Sequence, residues 1–206
     1  MPGALFKENV RMETGTTWEE WVVKLRQSVS ELWSHEEIRD HICGCYGVSG
    51  EWGEWLAAMY APYLGRTPVG VTKDAGVQIG VRKTVAISAP QAWNYLTSRE
   101  GLALWIGSVS LFPLEKGAEF ASAEGITGKL TVVDPFRKLR MTWKRKEWPN
   151  PSRLQLTLTA TKSGGTTISI HQEMLDDVYM RDLMRREWES VLNRIQEMDA
   201  EEHKRV

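Results

Sequence analysis

The chain has 206 residues and a formal net charge of −1 at neutral pH, so it is long enough for one large domain or for a small and a medium one. The near-zero charge excludes a global attraction to nucleic acid, and no run of about 18 apolar residues predicts a membrane span. Cys43 and Cys45 lie too close together to close a useful loop, and the first 14 residues lack a secretion-signal pattern, so a reducing, cytoplasmic setting is expected.

Three short helices are predicted in the first third of the chain. Each has a capping residue at its start and apolar residues that recur every three or four positions. The capping residues are Thr16 or Thr17, Ser34 and Ser49. Five of the ten tryptophans fall in this segment, namely Trp18, Trp21, Trp33, Trp52 and Trp55. Their rings could supply either the core of a small helical module or an interface, and we favour the core.

The pattern changes after this helical module, which we place at residues 1–65. Residues 66–76 contain few bulky apolar side chains but include proline and glycine, which predicts a linker to a second domain at residues 77–206. From Val77 the apolar period falls from about 3.6 to 2, which predicts a first strand reaching Ile87. Lys83 interrupts the inward row of that strand, and this indicates a bulge or an edge there.

Two short helices, beginning near Ser88 and Ser98, are predicted next, and a four-stranded meander follows them. Between Ile126 and Met174, four segments alternate between apolar and polar residues and are separated by turn sequences. This pattern is typical of an antiparallel sheet with one apolar face, and an amphipathic helix from about Asp176 has the stripe needed to cover it. The predicted fold class is therefore α+β, with a curved antiparallel sheet around a long C-terminal helix.

Several short motifs occur in this order along the second domain: Ala89-Pro90, Leu104-Trp105-Ile106, Lys116 to Phe120, Gly128, Val133-Asp134-Pro135, Leu139 to Trp143 and Gly164 to Thr167. Through them residues 77–198 resemble the helix-grip (START-like, SRPBCC) superfamily, in the branch related to the activator of the heat shock protein 90 ATPase. Usual members have paired glycines where this chain has Lys116-Gly117-Ala118. The first 65 residues resemble an uncharacterised helical domain found ahead of such folds, which implies no activity.

The apolar face predicts a cavity between the sheet and the long helix. Its candidate lining residues are Trp105, Phe120, Leu130, Met141, Trp143, Leu156, Leu158, Ile170, Gln172, Met184 and Trp188. Gln172 could orient a ligand or bind water inside the cavity, or it could lie near a strand end with access to solvent. The tryptophan rings could line a pocket or fill it. Our first hypothesis is a binding protein that holds a small hydrophobic or aromatic molecule.

The opposite face predicts a partner-binding surface. Lys138, Arg140, Lys144 and Lys146 all point the same way by alternation, and together they could dock an acidic protein segment or phosphates, although a solvated face is the simpler interpretation. The second hypothesis is therefore a co-chaperone-type interaction protein, which the family resemblance implies. A third hypothesis, a cyclase- or aromatase-like enzyme, would depend on Gln172 and Lys83 as the polar groups near a substrate.

Metal and acid–base sites have weaker support in the sequence. His41, Cys43 and Cys45 could offer an imidazole and two thiolates to zinc, but no second pair of ligands accompanies them, so packing at a helix end is the favoured interpretation. His171 and Glu173 are expected on the outer face of the sheet, away from any cavity. We therefore predict no catalytic residue, no metal and no cofactor.

Overall fold

The structure, a computed structural model, describes residues 2–72 and 74–204, with side chains described up to Met198. Met1, Lys73, Arg205 and Val206, which the predicted domain and linker limits include, lie outside the described residues. The chain divides into two compact units. The first is Met1–Val77 with Leu175–Asp182, and the second is Gln78–Met174 with Leu183–Val206. In the described part of the chain, no helix has both the length and the apolar character needed to cross a bilayer.

The first unit contains four helices among its described residues. They are α1 (Ala4–Thr14), α2 (Trp18–Ser28), α3 (His35–Tyr46) and α4 (Gly50–Tyr60), followed by a 3-10 turn at Ala61–Leu64. Reciprocal capping boxes start α2 at Thr17 and α3 at Ser34, because each cap and the glutamate three residues later satisfy one another's backbone amides. The three-helix prediction missed α1, whose cap position, Gly3, has no side chain to mark the start.

Aromatic rings form the core of this unit. The ring of Phe6 in α1 packs edge-on against that of Trp18, with centroids 5.3 Å apart. The ring centroids of Trp52 and Trp55 in α4 are 5.0 Å apart. Tyr179 lies 4.7 Å from Trp55, so the segment Leu175–Asp182 contributes directly to this core. Aromatic pairs of this geometry add about 0.5–1.5 kcal/mol each beyond the burial of their surface.

Most of the antiparallel sheet belongs to the second unit. The strands are β1 (Val71–Thr72), β2 (Gly76–Val85), β3 (Glu119–Ala121), β4 (Ile126–Asp134), β5 (Lys138–Arg145), β6 (Ser152–Ala160) and β7 (Thr166–Leu175). Of these, β1, the first two residues of β2 and the last residue of β7 fall within the limits of the first unit. Within the described residues their order across the sheet is β1-β2-β7-β6-β5-β4-β3. The remaining helices are α5 (Ala89–Leu96), α6 (Arg99–Trp105) and α7 (Val178–Lys204).

The predicted meander of β4 to β7 is confirmed, with hairpin pairings between successive strands. The short strands β1 and β3 were not predicted. The irregularity in register lies between Leu130 and Val132 of β4. Lys83 lies in the part of β2 beyond the two residue pairs that β1 forms, which agrees with the edge that its position indicated.

Helix α7 covers the apolar face of the sheet with Met184, Trp188, Val191, Leu192 and Ile195, each at most 2% exposed. The helical spacing of the apolar residues Met184, Trp188, Val191, Leu192 and Ile195 continues to Met198 and predicts that it is buried too, but Met198 is 39% exposed, so the buried stripe ends at Ile195. The predicted α+β helix-grip fold, with its long C-terminal helix, is confirmed.

Gly128 of β4 should tolerate no side chain. A Cβ built there would lie 2.1 Å from the carbonyl oxygen of Thr142 and 2.5 Å from the ring of Phe120, and backbone on the neighbouring strand cannot move away cheaply. We expect Gly128→Ala to lower the free energy of unfolding in urea by about 1–3 kcal/mol or more. The matched control is Gly80→Ala in β2, where the nearest atom is 3.9 Å away and the change should stay within about 0.5 kcal/mol. Equal effects of the two changes would contradict the packing described for Gly128.

Candidate functional site

The structure brings all eleven predicted cavity residues into one buried layer. Trp105 (α6), Phe120 (β3), Leu130 (β4), Met141 and Trp143 (β5), Leu156 and Leu158 (β6), Ile170 and Gln172 (β7), and Met184 and Trp188 (α7) are each at most 5% exposed. They meet there because alternate residues of a strand share one face and residues three to four apart share one side of a helix. Whether this layer opens for a ligand stays a prediction.

Tryptophan rings occupy the centre of the layer. Trp143 packs against Trp188 with ring centroids 5.9 Å apart and against Trp148 at 5.1 Å. In a second aromatic group the ring of Phe112 contacts two others. Its centroid lies 6.1 Å from that of Trp105 and 5.2 Å from that of Phe120. Trp148 and Phe112 were not predicted to lie in this layer because both are outside the periodic segments. The one signal in the sequence was a tryptophan in an otherwise polar turn.

Gln172 is completely buried, and both the oxygen and the nitrogen of its amide form hydrogen bonds within the protein. The indole N–H of Trp188 donates to its Oε1 at 2.7 Å, and its Nε2 donates to the hydroxyl of Ser152 at 2.8 Å. Ser152 in turn donates to the carbonyl oxygen of Trp143 at 2.8 Å. Gln172 is 0% exposed, so it has no access to solvent, and its amide joins β5, β6, β7 and α7. The sequence offered no signal for Ser152 beyond its place at the start of a strand.

One polar group in this layer has no partner. The Nε1 atom of Trp143 is buried and makes no hydrogen bond to any described residue, although a buried donor normally finds an acceptor. Lys83, the other polar residue considered for catalysis, donates to the side chain of Asn193 in α7.

The opposite side of β5 carries the four predicted partner-binding cations. Lys138, Arg140 and Lys144 are half-buried, and Lys146 is exposed just beyond the strand. Arg140 donates twice to the amide oxygen of Gln155, at 2.9 and 2.6 Å, and Lys144 donates to a backbone carbonyl. Among the described residues, none of the four forms an ion pair with a carboxylate. We call these four residues the basic surface.

Several other cations on this side of the sheet lie beside carboxylates. Arg153 pairs with Glu173, and Lys129 lies 3.6 Å from Glu119. The Nε2 atom of His171 is within hydrogen-bond distance of the amide oxygen of Gln78, at 2.9 Å, and its Nδ1 atom lies 3.4 Å from the carboxylate of Glu173. Among the described residues, the cations of this face without a carboxylate partner are therefore the four of the basic surface and Arg82 of β2, which is exposed.

His41 and the two cysteines lie close together at the end of α3. The Sγ atom of Cys45 is 3.4 Å from Nδ1 of His41, whereas the thiol of Cys43 points at the carbonyl oxygen of Ser49, 3.7 Å away. Within the described residues no group of three or more metal-ligating side chains is assembled.

Residues 86–198 match the sequence model of the family described as Activator of Hsp90 ATPase homolog 1-like protein. Over 101 residues the chain is 27% identical to the Activator of 90 kDa heat shock protein ATPase homolog 1 of Mus musculus and 26% identical to that of Homo sapiens. Each match covers 48% of this chain and 30% of the relative, so the chain spans less than a third of the length of these relatives.

Solved structures share the fold at low sequence identity. CalU16 from Micromonospora echinospora superimposes with a TM-score of 0.52 at 20% identity, covering 65% of this chain and 84% of that one. DynU16, from the dynemicin biosynthetic locus, gives 0.52 at 18% identity, covering 58% and 46%. At these identities the likeness extends to the fold alone.

Replacing Gln172 with leucine should destabilise the sheet and helix together. The change leaves the buried indole N–H of Trp188 without an acceptor, and we expect a loss of about 1–3 kcal/mol in the free energy of unfolding. The double variant with Trp188→Phe should cost less than the sum of the single changes, because the orphaned donor is then removed as well. Ser169→Ala on the outer side of the same strand is the control and should stay within about 0.5 kcal/mol. Strict additivity would contradict the proposed coupling.

Proposed function

Because the chain belongs to the family of Activator of Hsp90 ATPase homolog 1-like proteins, we propose that it is an interaction protein of the co-chaperone type. In this proposal its basic surface docks an acidic segment of an Hsp90-type chaperone. The observation that carries the proposal is the absence of a carboxylate partner for Lys138, Arg140, Lys144 and Lys146 among the described residues.

The spacing of Lys138 and Arg140 supports docking of an acidic partner. Alternate residues of a strand lie about 7 Å apart on the same face, which is less than the screening length of about 8 Å at physiological ionic strength. Lys138 and Arg140 therefore repel one another, and an acidic partner would relieve that repulsion. Lys144 lies two such steps, about 14 Å, beyond Arg140, so it extends the basic surface along the strand. Complementary charge of this kind mainly raises the association rate and fixes the orientation of the partner.

The backbone that presents the basic surface is fixed. Strand β5 is paired with β4 on one side and with β6 on the other, and Arg140 is held further by its two hydrogen bonds to Gln155. A surface that is already ordered loses little conformational entropy when it binds. This order favours a docking role for the basic surface over the alternative of a solvated face.

The relatives are named for activating the ATPase of a 90 kDa heat shock protein, and the match covers 30% of their length. We therefore propose that this chain docks on a chaperone, and stimulation of the chaperone's ATPase is one readout of that docking. A purified Hsp90 homologue serves as the probe.

Reversing two charges of the basic surface should weaken chaperone binding. We expect Lys138→Glu with Lys144→Glu to raise the dissociation constant at least tenfold in calorimetry and to remove any ATPase stimulation, because attraction becomes repulsion. Binding by the unaltered chain should also weaken as salt rises from 50 to 300 mM.

The matched control for this experiment is Lys116→Glu with Lys162→Glu. It changes the net charge equally, at two exposed residues outside β5, and should bind within twofold of the unaltered chain. No binding by the unaltered chain, or equal losses in both pairs, would refute docking through β5.

A second candidate function is the holding of a small hydrophobic or aromatic ligand in the layer between the sheet and α7. The unpartnered indole N–H of Trp143 supports it, because a ligand with a hydrogen-bond acceptor would satisfy that donor. Entry would require Trp143 and Trp188 to move apart.

This second candidate predicts that lipids, steroids or flavonoid-like compounds raise the melting temperature and quench tryptophan emission. Trp143→Phe should then weaken acceptor-bearing ligands by about tenfold while leaving purely hydrocarbon ligands nearly unchanged, because only the donor is lost. A panel without any thermal or spectral effect on the unaltered chain would remove this function.

A further inference from the structure

The first compact unit contains a pocket that neither proposed function uses. Its volume is about 310 Å³, and all of its lining residues lie within Met1–Val77 and Leu175–Asp182. Its walls are mainly apolar and include Met59, Pro62, Val71 and Val77. This size is at the lower end of the range for small-molecule sites, which typically combine apolar walls with a few polar groups.

One wall of the pocket is rigid and aromatic. The ring of Tyr63 stacks on Tyr60 with centroids 5.5 Å apart and 11° between the planes. The guanidinium of Arg26 lies 5.5 Å from the centroid of the same ring. These contacts restrain the ring of Tyr63, which is 43% exposed, and so reduce the conformational entropy that binding would cost.

Two adjacent carboxylates interrupt the apolar lining. Asp177 is 5% exposed and accepts the backbone amides of Gly3 at 2.7 Å and Met180 at 2.8 Å, so both of its oxygens are used within the protein. Burial raises the pKa of Asp177, and the neighbouring negative charge of Asp176 raises it further.

Asp176 differs from its neighbour. It is half-buried, it lines the pocket, and it forms no hydrogen bond or ion pair with any described residue. The charge of Asp176 can therefore pair with a ligand in a pocket whose other walls are mainly apolar. An anionic ligand would be repelled by Asp176, a neutral ligand would leave its charge unanswered, and a cation would pair with it.

We infer that this pocket binds a small organic cation, an amine whose apolar body fills the space beside Tyr63 and whose ammonium group pairs with Asp176. The volume limits the ligand to one small ring or a short alkyl chain. This site is independent of the basic surface and of the layer between the sheet and α7.

Three compounds with the same phenyl body test the inference on the full chain by calorimetry: 2-phenylethylamine, 2-phenylethanol and 3-phenylpropionate. The amine should bind, the alcohol should bind about three- to tenfold more weakly, and the carboxylate should show no binding. A difference of this size is typical of a partly exposed ion pair. No binding of the amine at millimolar concentration, or equal binding of the amine and the alcohol, would overturn the inference.

Two variants and a control place the ligand. Asp176→Asn should reduce the preference for the amine over the alcohol to about one, and Ala58→Phe, which fills the pocket from α4, should weaken both compounds at least tenfold. Asp40→Asn removes the same charge from the exposed surface of α3, where Asp40 pairs with Arg39, and should leave binding unchanged. Circular dichroism checks that each variant folds. Amine binding that survives both Asp176→Asn and Ala58→Phe would overturn the assignment of the site.

Discussion

The burial of the α7 stripe against the apolar face of the sheet is the interaction on which the second unit depends. Five large side chains of α7, from Met184 to Ile195, are at most 2% exposed, and each contributes about 1.5–3 kcal/mol when buried. The sum is comparable to the whole net stability of a typical domain, about 5–15 kcal/mol. Without this helix the sheet would expose its aromatic and aliphatic face to water.

This arrangement divides the two faces of the sheet between stability and recognition. The inner face is committed to packing, and the hydrogen bonds from Trp188 through Gln172 to Ser152 fix which residues of α7 and β7 meet. Polar groups of this kind contribute little net stability but penalise every alternative register, because misalignment leaves them unpaired. The outer face has no such obligation, and the cations of its basic surface have no carboxylate partner among the described residues.

Much of this fold is predictable from the sequence because period-2 alternation persists from Ile126 to Met174 and the stripe of α7 recurs with helical spacing. Other parts carry no such signal. Strands β1 and β3 have two and three residues, which is too short for alternation to register, and α1 begins at a glycine without a capping side chain.

The candidate sites divide in the same way. The inner residues and the basic surface follow from alternation alone, whereas the partners of Gln172 lie 20 and 16 residues away in sequence. The pocket proposed for an amine is lined by residues from four separate stretches of the chain, namely Pro2, the group Ala58, Met59, Pro62 and Tyr63, the group Pro68, Val71 and Val77, and Asp176 to Val178, so only the folded chain brings its walls and its carboxylate together.

The first unit is built from two segments that are far apart in the sequence, and this has a consequence for its folding during synthesis. Its core is completed by Leu175–Asp182, a segment that leaves the ribosome 98 residues after Val77. Until then the rings of Trp52 and Trp55 lack Tyr179, and the amide of Gly3 lacks the carboxylate of Asp177. The nascent helices must therefore wait with aromatic surface uncovered, a stage at which chains are prone to associate wrongly. These helices, which are translated before the sheet, are therefore among the last parts of the described chain to be completed.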